Sequence, residues 1–198
     1  DELSKPVPVS TADRPTKDVI RGISQVWQVR VGVDANARQY LFSDQPFAGE
    51  LKGLTSGSAM AMVLKSVGLG MYPEKPVGGE VRIMIAQHKK GQDYWPTGWA
   101  IESNPGKAAP DLFNELDVEI KATELSKTLA AIAPRIKTPL IIDYGEIERR
   151  GLNLDKRVSI PAGKTFYKKL IDRALSQGGL RSEFRTDEAG KVFLWITY

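Results

Sequence analysis

His88 is the one histidine in the sequence, and there is no cysteine. A Ser–His–Asp triad would have to recruit His88 as its base. His88-Lys89-Lys90-Gly91, just past a strand pattern, reads instead as a solvated loop. A two-histidine metal centre cannot be built, and zinc–thiolate, iron–sulfur, disulfide and cysteine-nucleophile chemistry all lack their sulfur. No Ser-x-x-Lys spacing occurs, which removes lysine-activated serine chemistry. Gly163-Lys164-Thr165 has the tail of a phosphate-binding loop, but that motif asks for an earlier glycine where Val158 stands. The carboxylate pairs Glu146/Glu148 and Asp111/Glu115 have types suited to glycosidic acid–base work. They read as a charged loop and a helix surface. The expectation is a protein that is not an enzyme, with no catalytic residues, no metal ligands and no cofactors.

Residues suited to contact are more prominent. Tyr94-Trp95-Pro96-Thr97-Gly98-Trp99 places two tryptophans in an irregular segment. Trp95 and Trp99 either stack on a sugar or peptide, or pin the segment into a groove between two folded units. The 28 Lys and Arg against 24 Asp and Glu leave a net charge of +4. That excess is local: eight basic residues between Gly145 and Arg173, among them Arg149, Arg150, Lys156 and Arg157, face four acidic ones. A solvated helix-and-loop face accounts for it. A KH-type nucleic-acid clamp needs Gly-x-x-Gly, and none of the 18 glycines has another three residues on. The expected partner is protein, by heterotypic contact or self-assembly, and no nucleic acid. No apolar run approaches the ~18–20 residues of a membrane helix, so no transmembrane segment is expected. The chain begins at Asp1 without a methionine, which reads as a processed product or an excised fragment.

The elements that must position these residues follow from periodicity. With 41% hydrophobic and 26% charged residues the chain is globular in composition. An N-terminal arm over 1–13 precedes a first helix, with Asp13 placed to cap it and Val19, Ile20, Ile23 and Val26/Trp27 as its apolar stripe. Gln28–Val33 alternates as a strand, a weak strand is expected around Phe47–Leu54, and Thr55-Ser56-Gly57 opens a second helix that Gly68 and Gly70 end. Glu80–Ile85 is a further strand. In the second half, Asp117–Lys121 is a strand and a helix starts at Thr123 or Ser126. Leu140-Ile141-Ile142 is a central strand, and a charged loop leads to a short strand at Arg157–Ile160. A helix over Lys164–Gln177 then stops at Gly178-Gly179. Leu180–Thr186 and Lys191–Thr197 form a hairpin.

The halves can be laid over each other, with Leu54-Thr55-Ser56-Gly57-Ser58 on Ile160-Pro161-Ala162-Gly163-Lys164 and Leu64 on Leu170. The expected fold class is α+β: two tandem small units, αββαββ and βαββαββ, with mixed sheets and two helices each. They span 14–86 and 117–198, joined by an aromatic and proline-containing linker over 87–116.

Val118-Glu119-Ile120, Leu125…Leu129, Leu140-Ile141-Ile142, Val158–Ile160, Phe166…Leu170…Leu175 and Gly179-Leu180 fall in the order of a known pattern. It resembles the short N-terminal domain shared by secretins and TonB-dependent receptors, closely over 117–197 and loosely over 14–86. The second half is also similar to a group of uncharacterised bacterial envelope proteins, through KTFYKKLIDRALSQGGL and the ending DEAGKVFLWIT. Gly151–Lys156 makes a longer loop than that family has. The resemblance implies a periplasmic, exported location and side-by-side assembly. The function expected is a non-enzymatic interaction or oligomerisation module of a cell-envelope assembly. The alternative from another class is a carbohydrate- or peptidoglycan-binding or hydrolytic protein using Trp95 and Trp99. Nucleic-acid binding through residues 145–173 ranks third.

Overall fold

A computed structural model describes residues 2–198. The chain divides into two compact units. The first runs to Trp99 and also takes in Asp187–Lys191, and the second comprises Ala100–Thr186 and Val192–Tyr198.

In the first unit, after a 3-10 turn at Glu2–Ser4, come β1 (Arg14–Pro15), α1 (Thr16–Ser24), β2 (Arg30–Val33), α2 (Arg38–Leu41), β3 (Pro46–Phe47), α3 (Ser56–Ser66), β4 (Leu69–Glu74) and β5 (Arg82–Gln87). Three strands make a sheet of order β2-β5-β4. β5 is central, parallel to β2 (Val31↔Ile83) and antiparallel to β4 (Met71↔Ile85). The strand period of two puts Ile83 and Ile85 in the core and leaves Met84 half-buried. α1 supplies Val19, Ile20 and Ile23 to that core, and α3 supplies Met60, Val63 and Leu64. β1 and β3 pair as a two-residue ribbon.

Asp13 is not the cap of α1. It adopts φ +59, Pro15 occupies the N-cap position, and the first amides are satisfied by carbonyls of another segment: Thr16 donates to Gln45 O and Lys17 to Ser43 O. Within residues 2–13 the arm is pinned at several points. Leu3 and Val7 are buried, Val7 N–H donates to Leu54 O and Ser56 N–H to Lys5 O.

In the second unit, β6 (Trp99–Ala100), at the passage from the first unit, is followed by α4 (Pro105–Ala108), a 3-10 turn at Pro110–Phe113, β7 (Glu115–Glu124) and α5 (Leu125–Ile132). After a 3-10 turn at Ala133–Arg135 come β8 (Leu140–Ile142), α6 (Tyr144–Arg149), β9 (Arg157–Phe166), α7 (Tyr167–Gln177), β10 (Arg181–Thr186) and β11 (Val192–Thr197). The sheet has order β6-β10-β11-β8, with β11 antiparallel to β10 and parallel to β8. β7 and β9 form a long antiparallel ribbon with register shifts near Ile120. Leu125, Leu129, Leu170, Ile171 and Leu175 pack with Val158, Ile160, Leu194 and Ile196.

The chain is therefore α+β, and the two units share one topology. In each, an N-terminal strand pairs with the strand before the second long helix, and the hairpin's second strand lies centrally, antiparallel to its hairpin partner. That central strand is parallel to the strand after the first helix. The first unit also has an N-terminal strand, the two-residue β1, which the expected αββαββ order lacks. Each unit carries its two principal helices; the first adds the short α2 and the second the short α4 and α6. The repeat register differs from the sequence overlay: α3 and α7 are both 11 residues long, which sets Leu64 against Leu175 and Gly68 against Gly179.

Three local expectations change. The stretch over 145–150 holds α6, capped by the Asp143 carboxylate accepting from Glu146 N–H. β9 does not stop at Ile160 but continues to Phe166, so Gly163-Lys164-Thr165 lies inside a paired strand. The weak strand expected at Phe47–Leu54 is reduced to Pro46–Phe47. The stretch 87–116 is shared between the units, with the division after Trp99. Among the described residues no helix is long and apolar enough to cross a membrane, and no cluster of three or more His, Cys, Asp or Glu could hold a metal.

Candidate interaction surfaces

Trp95 and Trp99 meet edge to face, ring centroids 5.9 Å apart at 86°. Trp95 is half-buried, its backbone N–H donates to Met71 O at 2.6 Å, and its indole N–H donates to Glu188 Oε1 at 2.6 Å. The neighbouring Tyr94 donates its hydroxyl to Gln87 O at 2.7 Å, lies edge-on to Tyr72 and packs beside His88, with centroids 4.3 Å apart. Gly70 makes this possible, because a Cβ there would overlap the Tyr94 ring. Residues 94 and 95 are thus laid along β4. Two perpendicular rings, one tied by its N–H, do not offer the paired parallel faces a sugar stacks on. Trp99, 38% exposed, is the accessible ring.

Glu188 is a structural carboxylate. Its second oxygen accepts from Ser58 Oγ at 2.8 Å and from Thr55 Oγ1, and the adjacent Asp187 accepts from Thr55 N–H at 3.0 Å. α3 has no side-chain cap of its own; Asp187 takes the amide of its N-cap residue Thr55, Ser56 N–H goes to Lys5 O, and both acids sit at the end where the helix dipole stabilises negative charge.

The basic residues are divided among elements. Arg149, the last residue of α6, and Arg150, its C-cap, both pair with Glu146, at 2.7 and 2.5 Å. Arg150 also lies over the Tyr198 ring, 3.7 Å from its centroid. Lys156 is exposed, while its carbonyl accepts from Leu125 N–H. Arg157, at the start of β9, reaches Ala122 O at 3.4 Å. Of the carboxylates read for acid–base work, Glu146 is taken up by the two arginines. Asp111 accepts from the amides of Lys137 and Thr138 and from the Thr138 hydroxyl, at 2.7, 2.8 and 2.8 Å. Burial by itself would push the Asp111 carboxyl up, but these three donors outweigh it and hold it below its ordinary range.

The surface that sequence reading missed is the edge of β2. This strand is hydrogen-bonded on one side, to β5, and among the described residues no strand pairs with its other side. A groove beside it is lined by Val31, Gly32, Val33, Leu41, Phe42 and Met84, together with the two arginines Arg38 and Arg82. Large apolar side chains stay exposed in the same unit: Val31 at 39%, Phe42 at 69% and Val81 at 50%. Gly32 carries the signal that was available. A glycine inside a valine strand marks close approach, and here the Met84 side chain occupies the space a Cβ would need. β4, the opposite edge of the same sheet, is covered by residues 94 and 95.

Comparison with protein-family models, with curated proteins and with solved structures finds no match.

Proposed function

We propose that this chain is a non-enzymatic interaction module of a bacterial cell-envelope assembly, binding a protein partner by strand addition at the edge of β2. The observation that carries this reading is an unpaired strand edge beside a groove that leaves Val31 and Phe42 exposed. Soluble proteins ordinarily blunt such edges with charge, proline or a covering segment. Here β4 is covered, whereas β2 carries charge only at its first residue, Arg30, so its Val31–Val33 edge is the one that offers main-chain donors and acceptors to an added strand. Alternate side chains of that strand would meet the groove at Val33, Leu41 and Met84. The resemblance to the short N-terminal domain of secretins and TonB-dependent receptors supports export to the periplasm and side-by-side assembly. Sugar binding, the rival, rests on the Trp99 face alone.

Native mass spectrometry over a concentration series, with hydrogen exchange of the β2 amides, tests the reading. The expected result is an oligomer, or a complex with a cross-linked periplasmic protein, that slows exchange at Val31 and Val33. Val31→Lys with Phe42→Glu should abolish it while the circular dichroism spectrum is retained. A strict monomer that retains no partner, or a complex that leaves β2 amides exchanging freely, overturns it.

A further inference from the structure

A cavity of about 390 Å³ lies within the second unit, among the β7–β9 ribbon, α5 and α7. Nothing in the proposed function uses it. Its size is at the lower end of ligand pockets, ~300–1,000 Å³. Leu116, Val118 and Ile120 share one face of β7 by the period of two, and all three line the cavity while remaining only half-buried. Ile132 of α5 and Leu170 of α7 extend this apolar side, while Thr123, Thr128 and Tyr167 add hydroxyl groups to the lining. A core face left half-covered in this way retains apolar surface in reach of solvent, and filling it is favourable in proportion to the area removed from water.

The charged lining selects the sign of an occupant. Lys121, Lys127 and Arg135 stand against Glu119 alone. Lys121 is engaged with Glu119 at 2.9 Å and Lys127 with Glu124 at 2.9 Å. Arg135 is exposed, lines the cavity and, among the described residues, has no carboxylate within salt-bridge distance. A planar guanidinium beside a cavity with one apolar side is suited to a carboxylate, which it binds through two parallel N–H donors.

We infer that this cavity binds a small apolar carboxylate, of the class of a medium-chain fatty acid, with its chain against Leu116, Val118 and Ile120 and its head group on Arg135. At ~30 Å³ per non-hydrogen atom, the share of one water in the liquid, the volume holds about a dozen such atoms, the size of decanoate. The inference concerns the second unit only and stands or falls independently of the β2 edge.

Titration of the 15N-labelled chain with decanoate, below its micelle concentration, tests it by amide chemical shift. Wild type should show saturable shifts at Val118, Ile120, Ala131 and Ile132, with decanol binding at least tenfold more weakly. Arg135→Gln, at an exposed position that leaves the core intact, should weaken decanoate about tenfold and leave decanol unchanged. Ala131→Phe, which adds a ring at an exposed position lining the cavity, should reduce both. The inference is overturned if decanoate at millimolar concentration leaves these amides unmoved. It is equally overturned if Arg135→Gln binds decanoate as tightly as wild type, or if decanol binds wild type as tightly as decanoate.

Discussion

Gly68 and Gly179 hold the same place in the two units: each ends the 11-residue helix before the hairpin, at φ +76 and +75. Both amides close the last turn, Gly68 N–H on Lys65 O and Gly179 N–H on Ser176 O, each at 3.1 Å, and a buried leucine follows each, Leu69 and Leu180. A Cβ at Gly68 would touch nothing within 4 Å, and at Gly179 it would make only ordinary contact with Leu152. The cost of alanine is therefore backbone strain alone. Gly68→Ala and Gly179→Ala should each lower stability by about 1–2 kcal/mol, measured by urea unfolding with an unchanged slope. A near-zero effect at both would show that the helix ends relax out of the left-handed region.

The same pair shows how far the fold was legible. Apolar stripes at helical spacing located α1, α3, α5 and α7, and alternation located β2, β5, β7 and the β10–β11 hairpin, because local periodicity reports which face is buried. The repeat was visible but its register was set by matching Gly57 to Gly163, two glycines in unrelated settings. Gly57 lies in α3 beneath the Glu188 carboxylate, and Gly163 lies in β9 opposite Val118. β9 outran its expected end because Pro161-Ala162-Gly163 has turn composition, while β7, more than forty residues earlier, provides the partner that keeps it extended. α6 is short and charged, and its cap comes from Asp143. The β2 edge and the Arg135 cavity depend on what does not cover them, and periodicity carries no information about that.

Asp111 predicts a pH dependence. Its carboxyl is held below its ordinary range in the folded chain, so the unfolded chain binds its proton first as pH falls. The stabilisation is fully present above the ordinary carboxylate range and is lost as pH drops through the lower folded value. Asp111→Asn should cost about 1–2 kcal/mol at neutral pH, because charge-assisted bonds from Lys137 and Thr138 become neutral ones. The gap from wild type should shrink toward about pH 3. Urea unfolding of both proteins across that range checks it, and a gap independent of pH would remove the linkage.

Thr165 is the reverse case. Its hydroxyl oxygen is buried without a hydrogen-bond partner, at 9% residue exposure in β9 opposite Leu116. Thr165→Val keeps the β-branched shape that suits a strand and removes an unsatisfied polar group. The variant should be as stable as wild type or more stable by about 1 kcal/mol, read as an unfolding midpoint that does not fall. A clear loss would mean that water reaches the hydroxyl.

Trp95 and Trp99 should separate by role. Trp95→Phe loses the N–H donated to Glu188 while keeping most of the ring, and should cost about 1 kcal/mol. Trp99→Ala removes a ring that packs edge to face on Trp95 and is only 38% exposed, and should cost about 1–3 kcal/mol. Titration with chitooligosaccharide should leave tryptophan fluorescence of wild type unchanged. A saturable quench abolished by Trp99→Ala, with stability intact, would instead favour the carbohydrate reading.

Gly70 and Tyr94 give the most direct handle on why one sheet edge is covered and the other open. A Cβ at Gly70 would overlap the Tyr94 ring, and that ring fixes the segment whose next residue donates from Trp95 N–H to Met71 O. Gly70→Ala should therefore cost about 1–3 kcal/mol by overpacking, lift residues 94 and 95 from β4 and expose a second strand edge. The expected signs are faster exchange of the Trp95 amide and concentration-dependent association beyond that of wild type. Adding Tyr94→Ala removes the clash, so the double variant should recover part of the lost stability while the β4 edge stays open and association persists. Recovery of stability together with wild-type association would show that the segment does not guard the edge. Association unchanged in both variants would assign edge pairing to β2 alone.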